Sequence, residues 1–93
     1  MDIGLCVIDE DRYERLYMFQ APNFTLEKDL RVKVDTCNGS KCATVKYVFP
    51  NIDLNHEREL DLFEALVKLS GAKLPLAKIT HRLREVELEY GDV

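Results

Sequence analysis

Ninety-three residues with 46% hydrophobic and 32% charged content suit one domain with a modest core and exclude a disordered chain. A net charge of −4 and a sequence pI near 5.1 speak against a general duplex nucleic-acid binder. Phosphate neutralisation supplies most of that affinity. No apolar run approaches the roughly 18 residues of a membrane span. The opening residues also lack a signal peptide's basic start and long apolar stretch. The expected location is therefore cytoplasmic, with no membrane partner.

Residues 3–8 read as a first strand, 9–12 as a polar turn and 15–19 as a second strand whose large apolar and aromatic residues suit a half-buried sheet. Pro22-Asn23 breaks the pattern. Residues 26–29 form a polar connection into the clearest feature of the chain. Two runs rich in β-branched residues, 30–36 and 43–49, flank Asn38-Gly39, a strong hairpin signal.

In the first run Leu30, Val32 and Val34 occupy even positions; in the second, Ala43, Val45, Tyr47 and Phe49 occupy odd ones. A period of two puts both sets on the core face. Arg31, Lys33, Asp35, Cys42, Thr44 and Lys46 then face outward. Paired residues share a face, so even positions must pair with odd ones. A loop of two or four residues satisfies that parity and a three-residue bulged loop does not.

Residues 57–70 read as the one clear helix, with Leu60, Phe63, Leu66 and Val67 on one stripe. Asp53 or Asn55 is placed to cap its start, and Gly71 to end it in the left-handed conformation. Pro75 excludes a central strand around it. The apolar phase shifts after Leu83, and residues 84–90 read as the last strand. The expected architecture is one α+β domain over 1–93: a small bent antiparallel sheet or partly open SH3-like barrel with one packed α-helix.

The stretches 17–22, 26–36, Asn38-Gly39 and 43–45 resemble small β-barrel proteins common in phages and mobile elements of Gram-positive bacteria. Their pattern is a tyrosine–aromatic–proline strand, then leucine, glycine, aspartate and valine-x-valine, a turn, and alanine-x-valine. The polymerase-suppressor C-terminal domain has the same outline. So does the barrel at the front of the primosomal helicase, which binds the end of a DNA strand. The resemblance covers residues 1–49 and departs from the pattern at Asp29-Leu30, where a Gly-Asp turn is usual. It implies a barrel of phage or mobile-element origin and carries over no catalytic residue.

Cys37 and Cys42 are a candidate redox pair. A four-residue loop would set them opposite each other, while an Asn38-Gly39 turn would set Cys37 against Ser40 and Cys42 against Asp35. Their spacing is half a zinc site and lacks two further ligands. Reduced free thiols are the simpler expectation for a cytoplasmic chain. His56 and His81 have no nucleophile or base at a telling spacing, and no glycine-rich phosphate loop exists. No catalytic residue, metal or cofactor is therefore expected.

Two charged groups remain. Arg31, Lys33 and Lys46 form a small basic patch, joined by Arg15 if the neighbouring strand brings it near. Glu85, Glu87 and Glu89 alternate with apolar residues, so an extended strand would align their carboxylates. The expected function is non-enzymatic protein binding, with the acidic surface engaging a basic host or phage protein. The alternative is a nucleic-acid accessory domain using the basic patch, which the net charge disfavours. A homodimer through an exposed barrel edge is compatible with either.

Overall fold

The chain order is β1 (Asp2–Ile8), β2 (Leu16–Ala21), β3 (Arg31–Thr36), β4 (Gly39–Phe49), α1 (Glu57–Ser70) and β5 (Ile79–Arg82). A computed structural model describes residues 1–22 and 25–83. The strands form one sheet in the order β2-β1-β4-β3-β5, with all ladder pairings antiparallel. The sheet curls until its two edges touch. The Gln20 amide donates to Ala77 O at 3.0 Å, its side-chain Nε2 donates to Leu76 O at 2.9 Å, and the Asp35 amide donates to Lys78 O at 3.0 Å. The result is a partly open barrel, closed at one end of its seam by residues 76–78.

The hairpin parity holds, because Val32 pairs with Ala43 and Val34 with Lys41. The turn, however, lies one residue earlier than Asn38-Gly39. Thr36 pairs with Gly39, leaving Cys37 and Asn38 as the corner. Thr36 fixes this choice: its hydroxyl donates to Gly39 O at 2.6 Å and accepts from the Asn38 amide at 3.2 Å. Gly39 then takes the positive φ of 100° that a side chain would resist.

Val32, Val34, Ala43 and Val45 are fully buried inside the curl, where Cys6, Phe19 and Ile79 join them. Alternation fails farther along β4. Leu5 pairs with Tyr47 and Cys6 with Val45, so Lys46 is an extra, bulged residue. Beyond it the strand's faces exchange. Tyr47, expected inward, is 56% exposed, and Phe49 packs on the opposite side of the sheet.

That opposite side is where α1 lies. Phe63 and Leu66 bury against Ile3, Met18, Ile52 and Leu76, while Val67 is half-buried. Leu60, expected in the same stripe, stays at the margin of the contact, 36% exposed. The residue at the helix start is His56, whose side chain makes no capping hydrogen bond. Asp53 instead accepts from the Asn55 amide at 3.0 Å. Gly71 ends the helix at φ 68°, as expected. The buried Asp2 carboxylate ties the corner together, accepting from the Leu26 amide at 2.9 Å and the Asn51 amide at 3.0 Å.

Among the described residues β5 is the last strand on its side of the sheet; it precedes the stretch expected to form the last strand, and Pro75 lies outside it. The expected strand over 84–90 falls outside the described residues.

Candidate functional site

The solvent-facing part of β3 and β4 carries the expected outward charges, but they have partners. Asp9, Glu10 and Asp11 follow β1 in succession and each meets a cation from a different place in the chain. Asp9 forms a two-pronged pair with the Arg31 guanidinium, which also donates to Thr44 Oγ1 at 2.7 Å. Glu10 lies 3.0 Å from Lys41 Nζ, and Asp11 Oδ2 lies 3.0 Å from Arg15 Nε. The Arg15 bond holds the Asp11 carboxyl below its usual range, and the Asp9 bond raises the Arg31 guanidinium. Arg15 also lies 5.7 Å from the ring centres of Tyr13 and Tyr17.

Arg31 and Lys33 therefore share a face, as expected, with Arg31 committed to Asp9. Lys33 Nζ lies 3.8 Å from Cys42 Sγ. Lys46 is exposed at the bulge, beside Tyr47, Glu14 and Asp29. Anionic neighbours thus interrupt the basic patch. Glu85, Glu87 and Glu89 lie outside the described residues.

No disulfide joins Cys6, Cys37 and Cys42. Cys37 is exposed in the turn, and Cys42 stands opposite Lys33, so the register puts the two on different rungs. Burial pushes the Cys6 thiol up to about 12. His56 Nδ1 lies 3.7 Å from Glu59, while His81 on β5 lies 3.2 Å from the Thr80 hydroxyl. Among the described residues no group of three or more His, Cys, Asp or Glu is placed to hold a metal ion. None of the described helices is long and apolar enough to cross a membrane.

The largest feature that pattern reading missed is the open end of the seam. Gln20 and residues 76–78 close one end. At the other end, the first half of β2 faces the hairpin tip across an apolar cleft of about 410 Å³. Ile8, Tyr17 and Phe19 line its inner side, Cys37 the tip, and Gly71 and Ala72 the end of α1. A second apolar hollow of about 560 Å³ lies beside the same edge, lined by Leu5, Leu16, Tyr17 and Leu69. Leu69 is 85% exposed and off the packed helix stripe. That phase mismatch is legible in the sequence and is the one signal that could have pointed here.

Strand geometry sets what the edge between these hollows offers. Gln20 directs its amide away from β1, toward Ala77. In a regular strand, Met18 and Leu16 point their backbone groups the same way. Two N–H and two C=O groups on Leu16 and Met18 thus face the seam and take no backbone partner among the described residues.

No family model, curated protein or solved structure matches the chain.

Proposed function

We propose that the chain is a non-enzymatic protein-binding module of phage or mobile-element origin, built on an SH3-like barrel. The observation that carries this reading is the open seam: a strand edge with no backbone partner among the described residues, flanked by apolar hollows. Proteins ordinarily cover such edges, because unpaired backbone groups recruit another chain. The acidic run of Glu85, Glu87 and Glu89 supplements the seam by steering a basic partner toward the molecule.

The nucleic-acid reading draws less support. Phosphate binding needs clustered cations that release counterions. Here Arg31, Lys41 and Arg15 already pair with Asp9, Glu10 and Asp11.

Retention from a bacterial lysate on the immobilised full chain, with and without nuclease, tests the choice. A single protein that survives nuclease treatment supports the binding module. Retention that disappears with the nucleic acid, together with a salt-sensitive gel shift on single-stranded DNA, would replace it with the accessory-domain reading.

A further inference from the structure

We infer that the open seam receives an extended peptide segment of another protein, which joins the sheet along Leu16–Met18 as an added strand. This rests on the protein-binding reading above and specifies its ligand. Three observations select an extended occupant of this chemistry.

The first is the backbone. The outward N–H and C=O groups of Leu16 and Met18 can be satisfied together only by another backbone lying alongside at strand spacing. A helix or a compact loop has no such row to offer.

The second is the placement of the hollows. Residues alternate across β2: Tyr17 and Phe19 turn toward the interior of the curl, whereas Met18 turns toward the helix. The cleft takes Ile8, Tyr17 and Phe19 on the interior side and reaches round to Met18 and the end of α1, whereas the second hollow takes Leu5, Leu16 and Leu69 on the helix side, with Tyr17 bordering both. A strand added to this edge would send successive side chains alternately to those two sides. The recognised segment therefore carries apolar residues at neighbouring positions, one for each hollow.

The third is charge and size. The charges at the rim pair off with opposite sign, Glu10 with Lys41 and Asp11 with Arg15, so an uncharged centre fits the segment. The free edge spans only three residues, about 10 Å. Two copies paired edge to edge over that length would bury far less than the roughly 1,000 Å² of a stable interface. A slender peptide reaches into both hollows, which a second barrel cannot.

The test is selection from a displayed random octapeptide library with the full chain as bait. A selected peptide is then synthesised and titrated into isotope-labelled protein. The expected result is apolar residues at adjacent positions, with the largest shifts and new exchange protection at the Leu16 and Met18 amides. N-methylation of the peptide amides that face β2 weakens binding by about tenfold or more, while methylation of the intervening amides does not. Leu69→Glu, at an exposed position outside the packed cluster, lowers affinity about tenfold and leaves the circular dichroism spectrum and melting temperature unchanged.

The inference is overturned if no peptide is selected, if shifts map to the outer face of β3 and β4, or if methylation has no positional pattern. It is equally overturned if the free protein dimerises with Leu16 and Met18 amides already protected. A nuclease-resistant lysate partner whose retention ignores Leu69→Glu would sink the strand-docking inference alone. The absence of any such partner would remove the binding-module reading as well.

Discussion

On the interior side of the sheet, β-branched residues at alternate positions of β3 and β4 meet one another across a short curl, and Val32, Val34, Ala43 and Val45 are fully buried. On the helix side, a few large side chains do the covering. Phe63 and Leu66 are nearly buried, but Leu60 and Leu62 remain 36% and 38% exposed at the margin. The interior is enclosed by the ladders that join β2, β1, β4, β3 and β5, except along the open seam. The helix side is closed by side-chain contact alone, on a helix whose first residue has no capping bond from His56. One sheet thus carries a rigid face and a yielding one, and the open seam lies where they meet. Sites for partners are commonly drawn from the less stable parts of a fold.

The severest way to break this contrast is a charge inside the curl. Val45→Asp would bury an unpaired carboxylate, and the variant is expected not to fold, as judged by loss of the cooperative thermal transition. Phe63→Ala on the yielding face should cost about 3 kcal/mol in denaturant unfolding. Native-state hydrogen exchange should then show α1 opening at lower free energy than β1 and β4; equal loss of protection in all three would erase the distinction between the faces.

Acidity sharpens the contrast further. The Cys6 thiol is raised by burial from its ordinary value of 9.0 to about 12. A thiol so raised contributes stability that is complete below about pH 9 and is lost as pH climbs toward about 12. Cys6→Ala should flatten that alkaline fall relative to the parent protein, followed by urea unfolding across the range. At pH 8, thiol reagent should modify Cys37 readily and Cys6 only after denaturation. The smallest effect belongs to the outer face. Asp9→Asn should cost less than about 1 kcal/mol, and 0.5 M salt should remove most of the difference (a Debye length of a few Å at that strength).

Local regularity explains which parts were legible from the residues. The even–odd parity of Val32, Val34, Ala43 and Val45 is a property of the chain itself, as is the stripe of Phe63, Leu66 and Val67 ended by Gly71. The turn position was less legible, because it depended on the Thr36 hydroxyl rather than on the Asn38-Gly39 dipeptide. Tyr47 was misplaced because the Lys46 bulge exists only through the pairing of β4 with β1, some forty residues away. The outward placement of Arg31 and Lys33 follows from the same parity, yet the pairing of Arg31 required Asp9 to arrive beside it from the end of β1. β5 and the open seam are also products of assembly: neither has a periodic pattern, and both are defined by what they lie against.

The anchoring of residues 51–77 carries a separate consequence. The excursion leaves the barrel where Ile52 exchanges backbone bonds with Met1, and returns where Leu76 and Ala77 meet Gln20. Ile3 pairs with Gln20, so exit and return occupy the same corner of the sheet. The helix is thereby mounted as a cassette. Its length and sequence can be exchanged for another covering element without moving any of β1 to β4 by a residue, and the walls of the seam nearest Leu69 would change with it.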